Sequence, residues 1–196
     1  IYEVVLSFFI DSLNYDPPIN VNSNTENLYK IYVENLPSFY FGVTYVEDEI
    51  DTNFSCTSFI KMRNNYSSSQ FNENTEIENI KVTAVHEFFH SIQFVYNCYE
   101  KLWLMEATAV WSEDQLYNSI NDLYRYMPSW FSNPQKSLND ESYHMYGSFI
   151  FFQYISEHIG GRNTIRECWN QSRILANKYY DNSILAVDNA LKSNNT

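Results

Sequence analysis

Hydrophobic and polar positions change their spacing near residue 80. Before that point, short stretches rich in β-branched and aromatic residues alternate with polar segments, which is typical of strands and turns. We predict strands over residues 29–33, 40–46 and 57–62, and loops over residues 20–26 and 64–79.

After residue 80, apolar residues recur at the spacing of amphipathic helices. We predict helices over residues 81–97, 102–118, 119–127, 142–159 and 162–176, and a weaker helix from Ser183. Gly160 and Gly161 follow the fourth of these helices, where a left-handed C-terminal cap is expected. The chain is therefore predicted to be an α+β protein of one domain, residues 1–196. A small twisted sheet in residues 1–80 precedes a mainly helical half in residues 81–196.

Composition and charge exclude several classes of partner. Hydrophobic residues make up 44% of the 196 residues, enough to form a core. The formal net charge of −12 would repel a polyanion, so nucleic acid is not expected as a partner. The longest apolar run, at residues 149–152, is far too short to cross a bilayer, and no membrane span is predicted. Cys56, Cys98 and Cys168 form no CxxC pair, which indicates no cysteine zinc site and leaves one bridge with one free thiol open.

The first predicted helix contains the pattern HExxH, formed by His86, Glu87 and His90. Residues four apart lie on one face of a helix, so both imidazoles can face one metal ion. Glu87 lies about 100° around the axis and faces the adjoining cleft. Zinc takes nitrogen and oxygen ligands in tetrahedral geometry, and a catalytic zinc keeps one position for water. The pattern predicts a zinc site with Glu87 as the general base.

Glu106 is the predicted third ligand. It lies in the apolar, alanine-rich segment 103–109, where a carboxylate needs a charge partner that a divalent cation supplies. Seven residues on, Glu113 lies on the same helix face and could orient a ligand by accepting a hydrogen bond. The alternative for both acids is a solvated helix face, and the alternative for the two histidines is an ordinary place in the core or on the surface.

These residues resemble the gluzincin metallopeptidases, the group that includes thermolysin and the aminopeptidase N family. Residues 103–113 are similar to the aminopeptidase segment that carries the glutamate ligand and a second acid. The chain is more closely similar to a group of uncharacterised bacterial secreted metalloproteases. These share an HEFFH helix, a WxxExxAxWxED helix and a later helix containing YG, here residues 86–90, 103–114 and 143–147. The likeness covers roughly residues 29–170.

The resemblance implies a zincin-like fold, a secreted or cell-surface location, and a hydrolase that uses a zinc-activated water to cleave polypeptide. It also implies a donor, besides zinc, for the oxyanion. His144 is the first candidate, because it takes the place of the family's catalytic tyrosine when Gly147 is aligned with the glycine of the YxxG segment. Tyr146 is the second candidate and Tyr143 the third. The alternative for each of these aromatic residues is helix packing.

Two features depart from the family pattern. The step from His90 to Glu106 is shorter than in thermolysin or the aminopeptidases, so the turn between them must be tight. Val110 stands where thermolysin-like enzymes place an aspartate four residues after the ligand. The orientation of the ligands is then left to Glu113 or to a residue that the pattern does not identify.

An endopeptidase acting on extended polypeptide is predicted rather than an aminopeptidase. Aminopeptidases of this group bind a free ammonium with a GxMEN segment, and none of the four glycines begins one. Residues 57–62 are predicted to form the edge strand beside the metal, whose unpaired backbone groups would bind a substrate backbone, with an ordinary structural strand as the alternative.

Two functions of another class stay open. One is a noncatalytic, zinc-stabilised surface-binding module, which would need a fourth protein ligand such as His144. The other is a degenerate protease that retains the motif for inhibitor-like binding.

Overall fold

The computed structural model describes residues 1–19, 28–37, 39–50, 54–71 and 73–193. The predicted loop at residues 20–26 lies outside these residues. Within them the chain combines one three-stranded sheet with a set of helices, which confirms the predicted α+β class. No helix of the described residues has both the length and the apolar character needed to span a membrane.

The sheet contains β1 (Ile31–Glu34), β2 (Gly42–Glu49) and β3 (Cys56–Arg63). Its strand order is β1-β3-β2, with β1 parallel and β2 antiparallel to β3. β3 takes the centre because most of its side chains are buried, whereas the second half of β2 is exposed. The prediction that residues 57–62 form an edge strand is therefore wrong, since that segment is paired on both sides.

The helices in chain order are α1 (Tyr2–Ser7), α2 (Glu76–Asn97), α3 (Leu102–Tyr117), α4 (Met127–Ser132), α5 (His144–Gly147), α6 (Phe149–His158), α7 (Arg162–Ile174) and α8 (Ser183–Ser193). A π-helical turn (Phe8–Ser12) continues α1, and a 3-10 helix (Asp122–Tyr126) precedes α4. The predicted left-handed C-terminal cap does not form: the C-cap of α6 is Ile159 in a right-handed conformation, and Gly161, with a φ of 73°, is the N-cap of α7.

Helix boundaries differ from the prediction at three places. α2 begins inside the predicted loop 64–79, because Thr75 and Glu78 form a capping box that starts the helix at Glu76. The helix predicted over residues 119–127 is the 3-10 helix followed by α4, which continues to residue 132. The helix predicted over residues 142–159 is divided at Ser148 into α5 and α6.

The N-terminal helix lies in the part of the chain that the hydrophobic pattern predicts to be rich in strands. α1 and the turn after it bury Val5 and Phe9 completely. The ring centroid of Phe9 lies 5.1 Å from that of Phe89 in α2. This helix therefore covers a face of α2 that the small sheet leaves open.

The helix α2 is the centre of the fold. The sheet, α1, α3 and α7 all pack against it, and its residues from Val82 to Asn97 are almost all buried. Phe89 of α2 packs on Trp111 of α3, with ring centroids 6.3 Å apart. A disulfide between Cys56 and Cys98 joins the start of β3 to the residue that follows α2. The buried helix pair α2–α3 carries the predicted metal ligands.

Candidate metal centre and adjoining cleft

The predicted metal ligands meet between α2 and α3. The Nε2 atom of His86 lies 3.1 Å from Oε2 of Glu106, and Nε2 of His90 lies 3.7 Å from the same oxygen. One ligand atom from each of the three side chains lies within 4.8 Å of the others. His86, His90 and Glu106 could therefore hold a metal ion, as their spacing in the sequence predicts.

Two of the three separations between ligand atoms are close to those of a tetrahedral site. Ligand atoms that bind one zinc at about 2.0–2.1 Å with tetrahedral angles are about 3.4 Å apart. The observed 3.1 Å and 3.7 Å lie on either side of that value. Two imidazole nitrogens and one carboxylate are also a ligand set of catalytic zinc sites, which keep a fourth position for water.

Glu113 contacts His86 on the side away from the other ligands. Its Oε1 lies 2.7 Å from Nδ1 of His86. When Glu113 is ionised it can only accept, so Nδ1–H of His86 donates and the lone pair of the neutral ring is on Nε2, facing Glu106. Two lone-pair atoms 3.1 Å apart need a cation or a proton between them. The contact that the predicted orienting role of Glu113 requires is present, and Glu113 is buried instead of lying on a solvated helix face.

The carboxylates around His86 favour a positive charge on its imidazole ring. Burial lowers the pKa of His86, but its hydrogen bonds to Glu106 and Glu113 outweigh burial and raise that pKa well above its ordinary value. Burial raises the pKa of Glu106, but the neighbouring His90 and His86 together lower it below its ordinary value. Burial raises the pKa of Glu113 to about 7 despite its contact with His86.

Glu87 lies beside the metal group and is held by the edge strand β2. The hydroxyl of Thr44 lies 2.8 Å from both Oε2 and the backbone oxygen of Glu87, and its single hydrogen can be donated to either oxygen. A Cβ atom at Gly42 would lie 2.7 Å from Cγ of Glu87, closer than real Cβ contacts allow. Glycine at this position therefore lets β2 approach the carboxylate. The sequence pattern identified neither Thr44 nor this role of Gly42.

A cleft of about 530 Å³ adjoins His86 and Glu87. Seven of its sixteen lining residues are phenylalanine or tyrosine: Phe39, Tyr40, Phe41, Phe71, Tyr126, Tyr143 and Tyr146. Arg125 also lines the cleft, where its guanidinium lies 2.7 Å from Asp122 and 5.2 Å from the centre of the Phe41 ring. The guanidinium is thus already paired with a carboxylate.

The three candidates for the oxyanion donor occupy different places. His144 is buried outside the cleft wall, with Nδ1 3.2 Å from the carbonyl oxygen of Ser129 and its ring stacked on Trp130 at 5.0 Å. Tyr146 and Tyr143 both line the cleft, and Tyr143 is largely exposed. Burial and the negative charges of Glu106 and Glu87 raise the pKa of Tyr146, so its phenol stays protonated. The geometry favours Tyr146 over His144.

Comparison with known proteins gives one finding. A family model described as "Family of unknown function (DUF6055)" matches residues 3–177. No curated protein and no solved structure matches the chain. The match covers the sheet, the metal group and the cleft, and its description assigns no activity to them.

Proposed function

The chain belongs to the DUF6055 family, and we propose that its function is zinc-dependent hydrolysis of peptide bonds, on a zincin-like fold of the gluzincin type. The observation that carries this proposal is the convergence of His86, His90 and Glu106, with Glu87 lining the same cleft as His86. A zinc ion held by those three side chains would act as a Lewis acid and lower the pKa of a water molecule toward about 7.

Glu87 is the general base of the proposed reaction. Its carboxylate takes a proton from the attacking water and later gives it to the leaving nitrogen of the substrate. When Thr44 donates its hydrogen to Oε2, Oε1 is the oxygen that takes the proton of the water. Glu87 is not part of the group whose ligand atoms converge, as this role requires.

Tyr146 is the donor proposed for the substrate oxygen. A neutral phenol in the cleft wall can donate to the carbonyl oxygen as negative charge develops there. The ring stacks on Tyr126 at a centroid distance of 5.2 Å, which holds its orientation. His144 lacks a comparable place in the cleft, because its Nδ1 faces the backbone of Ser129.

The proposed substrate is an extended polypeptide. β2 is an edge of the sheet among the described residues, and its side chains contact Glu87, so its free backbone groups could pair with a substrate strand beside the base. The aromatic cleft next to Glu87 suits a bulky apolar side chain of such a substrate. The Cys56–Cys98 disulfide supports the proposal of a secreted or cell-surface location, where disulfides persist.

Two alternatives, a structural zinc site and a degenerate protease, stay open. A closed structural site needs four protein ligands, and the metal-binding group found among the described residues has three. His144 does not belong to that group. Retention of Glu87 beside the ligands supports catalysis over both alternatives, because neither structural zinc nor inhibitor-like binding needs a base.

The proposal is tested with an internally quenched peptide blocked at both ends and a set of aminoacyl amides with free N-termini. We expect cleavage of the blocked peptide, loss of cleavage after chelation, and recovery when zinc is added back. Cleavage of the amides alone would replace the endopeptidase with an aminopeptidase. Stoichiometric zinc without cleavage of either substrate would favour the structural site or the degenerate protease.

A further inference from the structure

Gln93 is a fully buried amide that lies one helical turn after His90 in α2. Its Oε1 lies 2.7 Å from Nδ1 of His90. Its Nε2 lies 2.9 Å from the backbone oxygen of Met105 and 3.0 Å from the hydroxyl of Thr108, both in α3. A buried amide with these three contacts joins the helix of the two histidines to the helix of Glu106.

The direction of each hydrogen bond follows from the groups involved. The backbone oxygen of Met105 can only accept, so the NH₂ group of Gln93 must face it. The hydroxyl of Thr108 donates to the backbone oxygen of Leu104 at 2.7 Å, so it accepts from Gln93. Oε1 of Gln93 is then the atom that faces His90, and it can only accept.

The tautomer of His90 follows from this orientation. Because Oε1 of Gln93 accepts, Nδ1 of His90 carries the hydrogen, and the lone pair of the neutral ring is on Nε2. That is the atom that faces Oε2 of Glu106 at 3.7 Å. The reverse orientation of the Gln93 amide would place its oxygen against the oxygen of Met105 and its NH₂ group against Nδ1.

We propose that Gln93 is a positioning residue of the metal site. It fixes His90 in the tautomer whose Nε2 can bind a metal, and it holds the turn of α3 that contains Glu106 close to His90. Met105 immediately precedes Glu106, so the hydrogen bond to its backbone oxygen also limits how far the third ligand can move from the histidines. His86 and His90 thus each have a partner on Nδ1, Glu113 and Gln93 respectively. This inference rests on the metal-binding part of the proposed function and not on peptide hydrolysis.

The competing explanation is that the buried amide of Gln93 only stabilises the fold. A second buried amide in α2 provides the matched control. Asn79 is also fully buried, and its Nδ2 donates to the backbone oxygen of Phe71 at 2.9 Å. It contacts none of the three ligands in its described hydrogen bonds. Replacing either amide removes a buried hydrogen bond from the same helix, but only one replacement touches a metal ligand.

The experiment measures the zinc dissociation constant of the full chain by competition with a chromophoric chelator, alongside the thermal midpoint of the metal-free protein. We expect Gln93→Leu to weaken zinc binding about 10- to 100-fold, as loss of a ligand's hydrogen-bond partner typically does. We expect Asn79→Leu to lower the thermal midpoint while the zinc dissociation constant stays within about twofold of that of the unmodified chain. Gln93→Glu keeps an oxygen that can face His90 but places its second oxygen against the backbone oxygen of Met105, so it should restore only part of the zinc affinity lost in Gln93→Leu.

A zinc dissociation constant of Gln93→Leu within about twofold of the unmodified value would overturn the inference while leaving the proposed function intact. Equal weakening in Asn79→Leu would also overturn it, because the effect would then follow from helix stability. If Gln93→Leu does not fold, Gln93→Met fills the same space with an unbranched chain and gives the same comparison. An unmodified chain that binds no zinc would overturn both this inference and the proposed function.

Discussion

At the scale of single residues, spacing along the chain identifies the group that could hold a metal ion, because its members lie on two regular helices. His86, His90, Glu106 and Glu113 meet as the helical repeat predicts. Residues whose roles depend on contacts between distant elements leave no such pattern. Gln93 is one of these, since its partners lie on another helix and a glutamine within an apolar helix has no distinctive spacing.

Single substitutions can show whether Tyr146 or His144 is the oxyanion donor. Tyr146→Phe should lower kcat by about 100-fold or more with zinc content preserved, because it removes a donor to the developing oxyanion. His144→Phe should leave kcat within a few-fold, since His144 is stacked on Trp130 outside the cleft. Steady-state kinetics with zinc analysis of both variants checks this. A large loss in His144→Phe alone would restore His144 as the donor.

At the scale of elements, local periodicity predicts which segments are helices and strands, but not how the strands pair. The sheet order β1-β3-β2 depends on contacts between strands far apart in the chain, and local periodicity does not show which strand lies between the other two. For that reason residues 57–62 were predicted at the edge although β3 is central. The start of α2 was misplaced because its capped first turn, with Glu76 and Glu78, is polar.

The contact between β2 and α2 predicts a measurable effect of Thr44. Thr44→Val removes the hydroxyl that holds Glu87 while keeping the β-branched shape of the side chain. We expect kcat to fall about 10-fold with KM and zinc content nearly unchanged, because a misplaced base slows proton transfer.

The matched control is Thr44→Ser, which keeps the hydroxyl and should recover most of the kcat. A fall in kcat that is the same in both variants would show that only packing at β2 matters. An unchanged kcat in Thr44→Val would show that the hydrogen bond to Glu87 does not position the base.

At the scale of the whole molecule, the disulfide fixes the metal helix to the sheet. Cys56 and Cys98 close a loop of 42 residues that contains most of β3 and all of α2. The chain-entropy estimate for a loop of this length is about 4 kcal/mol. The double variant Cys56→Ala, Cys98→Ala should therefore lose about that much free energy of unfolding, measured by urea denaturation.

Reduction of the unmodified chain provides the control for that measurement. A reducing agent should destabilise the unmodified chain by a similar amount and leave the double variant unchanged. Stability of the double variant equal to that of the oxidised chain would contradict a structural role for the bond. Three cysteines without a CxxC pair did not predict which two are joined, because the approach of β3 to the end of α2 is a tertiary contact.

Glu87→Gln tests the central claim, that this chain is a zinc-dependent hydrolase, most directly. The amide has the same shape as the carboxylate but cannot take a proton from water. The measurement is the rate of cleavage of the blocked, internally quenched peptide by zinc-loaded Glu87→Gln protein, relative to the unmodified chain. We predict one zinc per chain in both proteins and a rate lower by at least about 100-fold in the variant. An unchanged rate with zinc still bound would contradict the claim.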